Sequence, residues 1–147
     1  MDEIKALIEK SVLCWLATSS KENIPNVSPK EIFAFYGIDQ IIVANIASPQ
    51  TVRNIKENGN VCISFIDILV QKGYQLKGTA TIVDKSEKTF SQMAKPLLIM
   101  TEGKFPFQSI ICLTIKQIKP IIAPKYVLFP ETTETEQIES AKKAYGF

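Results

Sequence analysis

Four consecutive residues, Ser48-Pro49-Gln50-Thr51, have the composition of a helix start that can hold an anion. Ser48 suits the N-cap and Pro49 the first helical position. The N–H groups of such a turn have no intrahelical acceptor and lie at the positive end of the helix dipole. That terminus attracts phosphate before any side chain is counted. Ser48 and Thr51 add hydroxyl donors, Gln50 adds an amide donor, and Arg53, one turn on, adds a full charge. Taken alone the tetrapeptide is an ordinary helix cap, which is the commoner case. The chain contains no histidine. A Ser-His-Asp triad, a His-ligated metal and a His-ligated haem are therefore excluded. Chemistry must come from carboxylates, lysines, tyrosines, backbone groups or a bound cofactor.

The elements that must position this turn follow from hydrophobic period and turn residues. Asp2 caps a short helix over 3–10, with Ile4, Leu7 and Ile8 on one face. The continuous apolar run 12–18 predicts a strand buried on both faces, with Trp15 in the core. A stretch over 24–28 carries Pro25, with Pro29 just beyond it, so it belongs at a sheet edge. Strands over 31–36 and 41–46 follow. The period then changes. Residues 48–59 predict a helix, with Ser48 as N-cap, Pro49 at N1, Val52 and Ile55 facing the core, and Gly59 at the left-handed C′ position. Strands are predicted over 61–66, 73–84 and 109–116. Gly78 marks a bulge or a close backbone approach in the second of them. Ser86 caps a helix that sets Phe90, Met93, Ala94 and Leu97 on one face and is kinked or ended by Pro96. A further strand over 127–129 is possible on pattern, and a helix over about 134–145 closes the chain. Six to seven strands with short connections predict a mainly β fold with flanking helices, an antiparallel barrel.

The 147 residues fit one domain, 1–147, and suffice for a real core. Composition is ordinary for a globular chain, with 46% apolar and 22% charged residues. A net charge of +2 carries no nucleic-acid footprint. No signal peptide or membrane-length apolar run is visible, which leads to the expectation of a cytoplasmic protein with no membrane or nucleic-acid partner. Cys14, Cys62 and Cys112 each lie in an apolar run and read as reduced core residues.

Several segments in order resemble the FMN-binding split-barrel family, which includes pyridoxamine 5′-phosphate oxidase-like and small FMN-binding proteins. The segments are Trp15-Leu16-Ala17-Thr18-Ser19, Pro25-Asn26-Val27-Ser28-Pro29, the helix Gln50-Thr51-Val52-Arg53-Asn54-Ile55-Lys56-Glu57-Asn58, and Leu76-Lys77-Gly78-Thr79-Ala80. The resemblance spans about residues 3 to 119. It implies a split β-barrel, FMN as cofactor, and a homodimer with FMN near the subunit interface. It places the phosphate at Ser48, Gln50, Thr51 and Arg53. It places the flavin ring over Asn26, Val27, Ser28, Pro29 and Lys30 on one strand and Val43, Ala44, Asn45 and Ile46 on the next. The family often has Lys or Arg where this chain has Gln50, so one phosphate charge is missing. Lys30 is either a cation at the N1–C2=O edge of the ring or a solvated surface lysine. Phe105-Pro106-Phe107 either covers a ligand or partner chain, in the implied homodimer by reaching the other subunit's flavin, or simply packs its loop.

The resemblance implies a flavin-dependent oxidoreductase acting on a small-molecule redox partner. The alternatives are a non-catalytic electron carrier or flavin store, an F420-binding relative, and a cofactor-free dimeric module. Pyridoxamine phosphate oxidase chemistry proper uses a histidine that this chain does not have.

Overall fold

The computed structural model describes residues 1–147. Its elements in chain order are α1 (Asp2–Lys10), β1 (Cys14–Ser19), β2 (Pro25–Lys30), β3 (Phe33–Tyr36), β4 (Gln40–Ala44), α2 (Pro49–Glu57), β5 (Asn60–Asp67), β6 (Lys72–Asp84), α3 (Phe90–Thr101), β7 (Ser109–Ile122), α4 (Pro124–Leu128) and α5 (Glu134–Tyr145). All seven strands form one antiparallel sheet in the order β2-β1-β5-β6-β7-β4-β3.

The two edge strands of this sheet, β2 and β3, are neighbours in sequence. Only Glu31 and Ile32 link them, so the Cα atoms of Lys30 and Phe33 lie within about 11 Å of each other. A flat seven-stranded sheet would hold its edges about 29 Å apart. The sheet must therefore curl until its edges meet at that corner, and this makes it a split barrel. The β3–β4 ladder runs one residue into this link, where the Ala44 N–H donates to the Ile32 carbonyl at 3.0 Å.

The barrel interior is filled by Leu16, Phe33, Ile41, Val43, Ile63, Phe65, Leu76, Ile111 and Leu113, closed by Ile4 and Ile8 of α1 and Ile55 of α2. A second core lies outside the sheet, where Ile42, Ala44, Ile110 and Cys112 pack under Phe90, Met93, Ala94 and Leu97 of α3. So β4 and the first half of β7 are the strands buried on both faces. β1 alternates instead, and Trp15 is 49% exposed on the outer face, not in the core. Gly78 matches its expectation: the β6–β7 register shifts between Lys77 and Gly78, and a Cβ there would sit 1.9 Å from the Thr114 carbonyl oxygen.

Several local expectations are corrected. Met1, not Asp2, occupies the N-cap of α1. α2 ends on an extended Asn58, and Gly59 is not left-handed; it lies against β6, where the Ala80 N–H bonds its carbonyl. Val52 is only half-buried. α3 starts at Phe90 behind Thr89 and continues through Pro96 to Thr101. Residues 124–128 form the short helix α4 where a strand was possible. No helix is long and apolar enough to cross a membrane.

Candidate functional site

The site begins with an inverted strand. β2 pairs with β1 so that Lys30 faces Cys14, Ser28 faces Leu16 and Asn26 faces Thr18. Cys14, Leu16 and Thr18 are all buried, so the inward face of β2 is Asn26, Ser28 and Lys30. The outward face is Pro25, Val27 and Pro29, and Val27 is 59% exposed. An edge strand normally turns its polar side chains to water; this one turns them inward.

Lys30 is 9% exposed, and its Nζ donates to the Ser48 Oγ at the start of α2. No carboxylate pairs with it; the ion pairs of the chain are Lys72–Glu134 and Lys104–Glu102. Burial pushes the Lys30 ammonium below the ordinary lysine value. Burial also pushes the facing Cys14 thiol up to about 12, so it is a neutral neighbour. A buried cation without an anion is the feature that most needs a partner.

The helix start supplies the other half of an anion site. Ser48 holds the N-cap position of the nine-residue α2 but makes no side-chain bond to the helix. Its Oγ donates instead to the Ile46 carbonyl at 3.2 Å. The Gln50 and Thr51 N–H groups donate to nothing in the chain. The preceding residue, Ala47, sits at φ 50°, a left-handed conformation that costs a non-glycine residue roughly 1–2 kcal/mol. Such strain collects at functional turns.

Lys30, Ala47 and Ser48 line a cavity of about 430 Å³, within the size range of small-molecule sites. Its walls are Ser28, Pro29, Lys30, Glu31 and Ile32 from the corner, Ala44, Ile46, Ala47 and Ser48 from the β4–α2 connection, and Phe105. One end is cationic and hydrogen-bonding; the remaining walls are largely apolar. Two buried polar side-chain atoms of the chain have no partner, the Oγ of the wall residue Ser28 and the Oδ1 of Asn45, which does not line the cavity. Each such atom costs about 1–3 kcal/mol unless something bonds it. A ligand carrying an anion at one end and a flat ring with polar edges at the other fits this donor set.

Six of the residues expected at the site, Ser28, Pro29, Lys30, Ala44, Ile46 and Ser48, line that cavity. Asn26, Gln50 and Arg53 line an adjoining cleft of about 470 Å³ on the flank of α2. There the Gln50 amide donates to the Asn54 Oδ1 at 2.8 Å, and the Arg53 guanidinium donates to the Gln50 Oε1 at 3.4 Å. Thr51 is buried beneath the helix. Val43 points into the barrel core, and Val27 lies on the outer face. The Asn45 amide is bound to the Ser109 Oγ at 2.8 Å. Composition did not single out Ile32 or Ala47, which carry no chemical signature. It also passed over Asn54, whose buried amide donates to the Thr18 Oγ1 at 3.0 Å and seats α2 on β1. The signal for Asn54 was present: a polar residue on the core-facing side of an amphipathic helix.

A curled antiparallel sheet with its cavity at the split corner defines the class, a split barrel with flanking helices. The chain belongs to the pyridoxamine 5′-phosphate oxidase family, which it matches over residues 1–122. α4 and α5 lie beyond that match. HupZ of Group A Streptococcus is similar at 25% identity and a TM-score of 0.69, covering 80% of this chain and 90% of its own. An FMN-binding protein of Syntrophomonas wolfei is similar at 22% identity and 0.68, covering 81% and 84%. An F420 reductase is similar at 21% identity and 0.57, covering 78% and 94%. Among functionally curated proteins, none matches the sequence.

Proposed function

We propose that this chain binds FMN and serves as a flavin-dependent oxidoreductase for a small molecule. One observation carries the proposal: a buried, unpaired ammonium lies on the hydroxyl of an uncapped helix start and opens into a half-apolar cavity. Lys30, Ser48 and the free N–H groups of Gln50 and Thr51 hold the phosphate. Lys30 thereby supplies the charge that Gln50 lacks. The ring lies toward Ile32, Ala44 and Ile46, with the Ser28 hydroxyl available to its polar edge. Bound flavin supplies hydride or electron transfer; the protein supplies orientation and electrostatics. The cavity contributes no histidine, and its only titratable side chains are Lys30 and Glu31. FMN and the name of the Syntrophomonas protein agree.

The adjoining cleft favours a second cofactor to a lesser degree. Lys21 and Arg53 could take the acidic tail of F420, but Glu22 and Glu57 line the same cleft and cancel their charge. FMN needs no such extension. Titrating the purified chain with FMN and with F420, followed by visible absorption, tests both. Failure to bind FMN at tens of micromolar sinks the proposal. Stopped-flow reduction by NADH and NADPH separates an enzyme from a passive flavin carrier, which would show only the free-flavin rate.

The site belongs to a homodimer in this proposal. The outer face next to the inverted strand exposes Trp15 and Val27 and carries an apolar cavity of about 570 Å³ lined by Val12, Leu13, Trp15, Ile66, Ile68 and Ile121. A contiguous apolar face of this kind marks an interface. Light scattering on Trp15→Glu is the check: a monomer is expected, and an unchanged dimer moves the interface elsewhere.

A further inference from the structure

We infer that Phe105 is a ligand-stacking residue, which closes the cavity over the planar ring of the bound mononucleotide in its own subunit. The inference rests on the FMN proposal and adds to it the residue that selects a ring rather than a bare phosphate.

The loop that carries Phe105 is built to present it. α3 ends on two successive left-handed residues, Glu102 at φ 53° and Gly103 at φ 71°, which turn the chain sharply back. The turn is fixed by bonds from the Gly103 N–H to the Leu98 carbonyl at 3.3 Å and from the Lys104 N–H to the Thr101 carbonyl at 2.9 Å. Two residues beyond Phe105, Phe107 is anchored. It is 7% exposed and packs on Phe90 with ring centroids 6.1 Å apart. Pro106 stands between them and restricts the backbone. A tethered aromatic therefore projects from a fixed point instead of sweeping through solvent.

What it projects over is the cavity. Phe105 shares that wall space with Lys30, Ser48, Ile32 and Ala44, yet the chain leaves it 55% exposed. Covering the exposed part of that ring removes apolar surface from water, which is favourable. The pairing of a half-exposed aromatic with an unpaired cation across one cavity matches a ligand that has both a flat ring and an anion. Inorganic phosphate satisfies Lys30 alone. Offset or edge contact with a flavin ring adds aromatic attraction to the area buried.

The experiment compares wild type, Phe105→Ala, Phe105→Leu and Phe105→Trp, each titrated with FMN, riboflavin and inorganic phosphate. Flavin fluorescence and absorption are the readouts. Phe105→Ala is expected to weaken FMN and riboflavin about tenfold and to leave phosphate unchanged. Phe105→Trp should keep affinity and quench flavin fluorescence, because an indole in contact donates an electron to the excited flavin where a phenylalanine ring does not, and Phe105→Leu should fall between wild type and Phe105→Ala in affinity. Phe105 is exposed, so all four chains should melt alike. If Phe105→Ala binds FMN with wild-type affinity while wild type does bind, the stacking role is overturned and the FMN proposal stands. If wild type binds no flavin, both fall together.

Discussion

Replacing Lys30 with methionine separates two effects that the structure couples. The ammonium is buried, bonds a single hydroxyl and faces no carboxylate. Without ligand it is a burden on the fold; with a phosphate it is the main attraction. A hydrogen bond to a charged group is worth about 1.5–3 kcal/mol, and about 1.4 kcal/mol is a factor of ten. Lys30→Met should therefore weaken FMN roughly 10- to 100-fold. The same change should stabilise the ligand-free chain by about 1 kcal/mol or more, because a poorly compensated buried charge is exchanged for an apolar side chain of similar length. That corresponds to a rise of about 3 °C in Tm for a chain of this size. The pH dependence has a definite sign. Burial lowers the folded-state pKa of Lys30 below its ordinary value of 10.5. Between the two values the unfolded chain holds more protons, so ligand-free stability rises with pH across that window. FMN affinity falls across the same window as the ammonium is lost. Both trends should vanish in Lys30→Met. Thermal melts and FMN titrations from neutral to alkaline pH provide the measurement. Wild-type FMN affinity in Lys30→Met, together with a large loss in Arg53→Ala, would return the phosphate to the Gln50–Arg53 flank and refute this account.

Three further outcomes are expected. Ser48→Ala should cost about 1 kcal/mol in the wild-type background by stranding the Lys30 donor, and almost nothing in Lys30→Met; a true helix cap would cost the same in both, so a double-mutant cycle by urea unfolding decides. Gly78→Ala should lose about 3 kcal/mol by the same method, because the new Cβ meets the Thr114 carbonyl oxygen at 1.9 Å and forces β6 from β7; a loss below about 0.5 kcal/mol would mean that the bulge yields freely. Burial raises all three thiols, Cys14 to about 12, and Cys62 is the one not fully buried. Mass-mapped alkylation of the native chain should reach Cys62 first, and rapid labelling of Cys14 would contradict the core packing.

Elements with strong local signals were legible from sequence. The prolines of β2 placed it at an edge, Gly78 announced its bulge, and the α5 pattern gave its bounds. The errors share a cause. The apolar run at residues 12–18 has the length and composition of a doubly buried strand, but only tertiary packing decides which strands receive a second layer. α3 covers β4 and β7, so those strands are buried twice, and Trp15 is left on an uncovered face. Residues 127–129 are apolar enough for a strand, yet Pro124 starts a helical turn that takes residues 124–128 into α4.

The site shows the same limit more sharply. Sequence could nominate Ser48 as a helix start and Lys30 as a cation, but they are 18 residues apart and belong to different elements. What joins them is the closure of the barrel. β2 and β3 are opposite edges of one sheet linked by Glu31 and Ile32, so curling brings the end of β2 to the end of β4, and α2 starts just beyond. The helix start then meets the inward side of β2. The inverted strand follows from this closure. Asn26, Ser28 and Lys30 can face inward because the split leaves a trough between β2 and α2 instead of a packed interior. Reversing that face should therefore empty the trough of chemistry while leaving the barrel intact. Ser28→Val with Lys30→Met is expected to fold, to melt higher than wild type and to lose FMN. A double variant that unfolds instead would show that the polar face of β2 serves the fold before it serves a ligand.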